Sequence, residues 1–414
     1  MATEAEISTD QAAALGGGCP VMGHDFSTTR QAGAYWDLAN ELRESCPHFY
    51  NRYSGGGYWV FTRYDAVRDI YKTPEIFSSE SITPWEPNPI YRFVPTQIDA
   101  PDHIKYRRIL NPWFSPNAME AARPVMTEIC RGYIAPIVPR GECEFIEDFA
   151  LRYPTAAFLN VIGVGLEHTE LFTGWVDAFF SGFGGAESGQ EAMGRALGEM
   201  RVFWKEQLDA RRGGPLVDGD LFAYLLHARF DDEPLDDEVL LDMCTVLTLA
   251  GLDTTRAELG YMFRHLAEHP EHRRLLVDQP DLIPLAVEET LRYYTIIFGD
   301  GRKVTRDVEF HGVQLKKGDM VYALVSGANR DPRAWERADE FVPDRKRNNH
   351  FGFASGPHRC LGMHLARREM AVAVEEWLKV IPDFTLAADD ELTERGGGAM
   401  MALDRLPLRW DVPA

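Results

Sequence analysis

The stretch FASGPHRCLG, running from Phe353 to Gly362, decides how the rest of the chain is read. It sets one cysteine, Cys360, just ahead of an apolar, helix-patterned segment, with a histidine and an arginine immediately before it. A thiol at a helix start lies where backbone N–H groups and the helix dipole favour negative charge, so the thiolate is favoured. Gly356 and Gly362 let backbone approach closely, and Phe353 can shield the sulfur from water. A lone cysteine is more often a small buried hydrophobe than a ligand. This setting points instead to a metal-ligating thiolate, and partner residues elsewhere must decide between the two.

The other five cysteines are Cys19, Cys46, Cys130, Cys143 and Cys244, scattered and without a C-x-x-C pair. That spacing argues against a disulfide framework and against a zinc site. The chain has 414 residues, with 43 basic against 64 acidic side chains and a net charge of −21. Such an acidic balance disfavours nucleic acid and anionic membrane surfaces as partners. No apolar run approaches the roughly 18–20 residues of a membrane span, and the N-terminus lacks a signal-peptide pattern, so a cytoplasmic protein is expected. Length alone allows two or three domains, but no linker or fixed repeat divides the chain. The expectation is a disordered tail over residues 1–28 and one catalytic domain over residues 29–414.

Helical patterns dominate. Residues 34–46 and 283–294 read as amphipathic helices, and 361–381 as the helix after the cysteine. Residues 48–64 read as two strands around a triple-glycine turn, and short strands are expected after residue 308. A glycine-rich break at 182–190 suggests a flexible connection, and residues 78–103 a long functional loop. Residues 235–270 predict one long helix, capped by Asp236 or Asp237 and ended by Pro270. It is apolar on nearly every side from Met243 to Ala250, so it must cross the interior. The fold class is mainly α with small β-sheets.

Three further patterns supply candidate partners for Cys360. In AGLDTT (250–255), an Asp-Thr-Thr triplet sits inside the apolar helix, costly unless its polar groups are satisfied. In EETLR, Glu289 and Arg292 are three apart and share a helix face. In HIKYR, His103 and Arg107 are four apart on another face, and either pair alone reads as ordinary surface charge.

Taken with these, the F-x-x-G-x-x-x-C-x-G loop resembles the haem-thiolate loop of the cytochrome P450 monooxygenases, over about residues 30–412. The resemblance is closest to the bacterial camphor-hydroxylase branch, through YRFVPTQIDAPDH, DGRKVTRDVEFHGVQLKKGD and CLGMHLARRE. It implies a triangular prism of helices around a buried haem b, with Cys360 as the axial iron ligand. It assigns His103, Arg107, Arg302 and His358 to the haem carboxylates and Phe353 to the cysteine loop. It assigns Asp253 and Thr254 to proton delivery to dioxygen, with Gly251 leaving room for that molecule. Glu289, Arg292 and Arg345 become a buried structural network. Tyr91 stands where camphor hydroxylases bond the substrate ketone, and Phe93, Thr96, Val246, Leu249, Ile297 and Met400 fall at pocket positions. The loop before Tyr91, Val246 with Leu249, and Met400 with Met401 depart from the camphor pattern. An oxygen-bearing terpenoid, such as a camphor-like ketone or an ionone, is therefore expected rather than camphor itself.

The implied reaction is oxygen insertion into an unactivated C–H bond of a small apolar molecule. No flavin, nicotinamide or iron–sulfur fingerprint is present, so a [2Fe-2S] ferredoxin and its reductase are implied as partners. Lys105, Arg108 and Arg359 are expected to form a local basic patch for that acidic partner. Two other readings stand beside this one: a haem-thiolate binding or sensor protein without turnover, and a peroxide-driven peroxygenase. Asp253 and Thr254 disfavour both.

Overall fold

The computed structural model describes residues 20–53, 56–89, 92–181, 187–387, 391–396 and 400–412. Its axis is the helix Asp237–Glu268, 32 residues long and so about 48 Å from end to end. The Asp236 carboxylate caps its start by accepting from the Glu238 N–H at 2.9 Å, and Asp237 and Glu238 complement the dipole there. As its all-round apolar pattern requires, the helix is buried along most of its length. Two of its threonines are satisfied locally: the hydroxyls of Thr245 and Thr248 donate to the carbonyls of Leu241 and Cys244, at 2.7 and 2.9 Å. Helices Arg152–Ile162, Thr169–Ser181, Ile283–Tyr293 and Met363–Val380 pack around it.

The largest sheet has six strands, in the order Val21–Met22, His48–Asn51, Tyr58–Phe61, Met320–Ala323, Asp300–Val304, Phe77–Ser78. The expected hairpin around the glycines is present, with Phe49 opposite Val60. Near the C-terminus, Thr393–Gly396 pairs with Met401–Leu403, and Pro407–Arg409 joins a different sheet, between Thr385–Leu386 and Glu142–Glu144.

Two boundaries are corrected. Residues 20–28, expected in a disordered tail, carry an edge strand pairing Val21 with Tyr50. The reason is Phe26, only 2% exposed and set against Phe298 and Tyr322; burying such a ring favours order in the segment around it. Residues 1–19 lie outside the described residues. So do 182–186 of the expected glycine-rich break, while 187–190 already form the first turn of the helix Glu187–Arg211. Pro270 ends the long helix but also opens another, Pro270–Asp278, as proline at a first helical position can.

Candidate active site

Cys360 lies two residues before Gly362, the N-cap of helix Met363–Val380. Its N–H donates to the Phe353 carbonyl at 2.9 Å, which closes the loop on itself. The sulfur accepts from the Gly362 N–H and faces the guanidiniums of Arg107, Arg367 and Arg359; all favour the thiolate. Burial outweighs them and raises the thiol pKa. Yet Cys360 is surface-accessible, whereas Cys46, Cys130, Cys143 and Cys244 are buried. A residue that is accessible while densely surrounded by protein lines an internal space. Cys19 lies outside the described residues.

Phe353 is buried, and the Arg367 guanidinium lies 4.6 Å over its ring. Arg367 also pairs with Glu288, which contacts His350 Nε2 at 3.2 Å. This tie between the helices Ile283–Tyr293 and Met363–Val380 was missed from sequence, where Glu288 reads as a plain neighbour of Glu289. Ala354 adopts φ +53°, the left-handed region that favours glycine. Ala354→Gly is expected to stabilise the protein by about 0.5–1 kcal/mol, read as a rise in the denaturant midpoint at unchanged slope. A lower midpoint would show that the alanine methyl packs usefully.

The expected carboxylate anchors converge. The rings of His103 and His358 stack at 3.9 Å between centroids. Burial and the charge of Arg107 lower the His103 pKa to about 4. Burial, His103, Arg302 and Arg107 lower that of His358 to about 3. His103 Nδ1 is buried without a hydrogen-bond partner. Four basic side chains crowded together, one with an orphaned nitrogen, need an anion to relieve them. Arg302 is already partly served by Asp300 at 2.8 Å. Arg107 donates to the Arg359 carbonyl at 2.9 Å and so also braces the cysteine loop.

On the long helix the outcome divides. Thr254 is half-buried, and its hydroxyl donates to the Ala250 carbonyl at 2.8 Å. Asp253 points elsewhere, with no exposed side-chain surface. It pairs with Arg256 and with Arg395 of strand Thr393–Gly396, the latter at 2.8 Å. Neither arginine was foreseen; Arg395 lies 142 positions away, beyond any local pattern. Gly251 requires a correction. It does not open a gap for a small molecule: a Cβ there would fall 2.8 Å from the Phe158 ring. The glycine lets the helices cross.

The pocket residues are only partly gathered. Ile297 and Met400 meet in an isolated β-bridge, and Val246 and Leu249 are buried on the long helix. Phe93 packs half-buried against the core. Thr96 hydrogen-bonds His358 through its main chain, which ties it to the cluster of two histidines and two arginines. Tyr91 lies outside the described residues. The expected basic patch is reduced, because Lys105 pairs with Asp231 at 2.5 Å and Asp102 at 3.3 Å, leaving Arg108 and Arg359 as its exposed members. Glu289, Arg292 and Arg345 do meet, with Arg292 and Glu289 fully buried.

An accessible cysteine surrounded by protein, beside basic groups short of an anion, fits a haem-thiolate protein: Cys360 would hold the iron, and His103, His358, Arg107 and Arg302 would hold the propionates. The family model for cytochrome P450 matches residues 277–390. "Probable cytochrome P450 127A1" of Sinorhizobium fredii is 32% identical over 88% of this chain and 87% of its own. A steroid C26-monooxygenase of Mycobacterium tuberculosis is 31% identical over 93% of this chain and 95% of its own. The crystal structure of CYP101J2 superposes with a TM-score of 0.84 at 28% identity, covering 95% of this chain and 98% of that one.

The chain belongs to the cytochrome P450 family. It is a P450 monooxygenase with the P450 fold, of a family that binds haem b through a cysteine thiolate. Among the described residues, no helix is long and apolar enough to cross a membrane.

Proposed function

We propose that Cys360 is the axial ligand and that the enzyme hydroxylates a small apolar terpenoid, with electrons from a [2Fe-2S] ferredoxin and its reductase. The carrying observation is Cys360 itself, accessible yet enclosed, its sulfur accepting from the Gly362 N–H and lying within the field of three guanidiniums. When bound, the haem supplies the redox chemistry that activates dioxygen. The protein's part is to hold it, orient substrate and deliver protons. His103, His358, Arg107 and Arg302 suit the propionates. The Thr254 hydroxyl can pass a proton from one side while accepting from the other. Asp253 can join that relay only when its link to Arg395 opens, since Arg395 is the more exposed of its two partners.

The substrate class rests on apolar lining, Val246, Leu249, Ile297 and Met400, which suits a compact hydrocarbon body. Spectral titration of terpenoid ketones, ionones and steroids tests it. Tight shifts with steroids alone would overturn the terpenoid reading. Arg108 and Arg359 are the proposed contacts for an acidic ferredoxin.

Thr254→Ala is expected to bind substrate and consume NADH through the partner proteins as before. Product per NADH should fall about two- to tenfold, the worth of one hydrogen bond of about 0.5–1.5 kcal/mol, and free peroxide should rise. Unchanged coupling would remove Thr254 from proton delivery.

A further inference from the structure

At the far end of the long helix, HLAEHPEH (265–272) brings three histidines and a glutamate together. His269 caps both that helix and the next, and Pro270 fixes the turn between them. One donor atom each from His269, Glu271 and His272 lies within 4.8 Å of the other two. The His269 Nδ1 and a Glu271 carboxylate oxygen are 3.2 Å apart. Behind them His265, 2% exposed, holds His272: its Nε2 lies 2.8 Å from His272 Nδ1. His265 Nδ1 in turn lies 2.9 Å from the hydroxyl of Tyr294. With protons running from His272 to His265 to Tyr294, His272 keeps its Nε2 lone pair free. That is how ligand histidines are oriented by the groups behind them.

We propose that His269, Glu271 and His272 form a binding site for a borderline divalent ion such as Zn²⁺, with His265 and Tyr294 fixing the tautomer of His272. Two imidazoles and one carboxylate are a zinc-type donor set that leaves a fourth position for water; magnesium and calcium would demand oxygen ligands. Tetrahedral ligation at about 2.0–2.1 Å sets donors about 3.4 Å apart. The donor atoms, within 4.8 Å of one another, need draw in by about 1.4 Å at most, and His269 and Glu271 are exposed enough to turn. Arg264 opposes a cation here but is paired with Glu268 at 3.0 Å. The ion would clamp the junction of the two helices, remote in sequence from the cysteine loop.

The test is calorimetric titration of ZnCl₂ into haem-loaded protein previously stripped with EDTA. One site per chain is expected, weakened about tenfold or more in both Glu271→Gln and His269→Ala. Both substitutions are at exposed side chains, and an unchanged carbon monoxide spectrum confirms that the haem site is intact. Zinc should also raise the thermal midpoint of the wild type and not of the variants. Absence of binding, or equal affinity in wild type and both variants, overturns the proposal.

Discussion

Cys360→Ser should leave a folded chain that no longer inserts oxygen. The side chain faces an internal space and not a packed core, so the substitution removes little burial. What it removes is the only group in the loop able to present a polarizable anion. Serine keeps the position and the Gly362 N–H, but an alcohol does not ionise where even the thiol needs a metal to deprotonate it fully. The electron donation by which thiolate favours O–O cleavage is lost with it. Turnover should fall to background, and the carbon monoxide complex of the reduced protein should lose its strongly red-shifted Soret band. The spectrum tests ligation separately from activity. A variant that still showed the red-shifted band would place the ligand elsewhere, and a wild type with full haem and only a histidine-type band would do the same.

The cysteine loop, the long helix and the pairing of Glu289 with Arg292 were legible because each depends on near neighbours in sequence; that the pair is buried and joined by Arg345 was legible only through resemblance. Residue spacing within a loop or along a helix fixes which groups share a face. That His103 and His358 belong to one site was legible only through resemblance, since 255 residues separate segments that no periodicity connects, and their stacking was not foreseen. What stayed hidden is long-range and specific. Asp253 looks like a free acid in an apolar helix, and nothing local announces that Arg395 crosses from a strand to pair with it. Gly251 illustrates the converse. A missing side chain is compatible with an open cavity or with a close neighbour, and only the position of Phe158 distinguishes them. Lys105 was counted as a free cation because Asp231 approaches from a hairpin far along the chain.

The Glu289 network carries the largest expected stability effect. Arg292 meets Glu289 through two parallel hydrogen bonds, Nε to Oε2 at 2.9 Å and one terminal nitrogen to Oε1 at 2.7 Å. The same guanidinium donates to the carbonyls of Asn329, Ala338 and Glu340 at 2.8–2.9 Å. Glu289 also accepts from Arg345 at 2.9 Å, from the Val342 N–H at 2.8 Å and from Asn348 at 3.1 Å. Every donor and acceptor of the pair is therefore used, at zero exposure for both side chains. Such a pair adds little over a well-packed apolar alternative, but breaking it is costly. Arg292→Ala strands the buried carbonyls of Asn329 and Ala338 and the part-buried one of Glu340, and leaves Glu289 with only Arg345 to balance its charge. The expected loss is about 3–5 kcal/mol, a large part of the roughly 5–15 kcal/mol that holds a protein folded. The segment from Asn329 to Glu340 takes three of its hydrogen bonds to the helix from this one side chain, beside those from Arg330 to the Tyr293 carbonyl, and it precedes the cysteine loop. Arg292→Ala should therefore yield little haem-loaded protein, and what forms should release haem at a lower denaturant concentration. Arg292→Lys keeps the charge but cannot make the paired bonds, so its midpoint should fall between wild type and alanine. A denaturant midpoint for Arg292→Ala within about 1 kcal/mol of wild type would mean that water replaces the guanidinium, and that the segment is held by its remaining contacts, the Arg330 hydrogen bonds to Tyr293 among them.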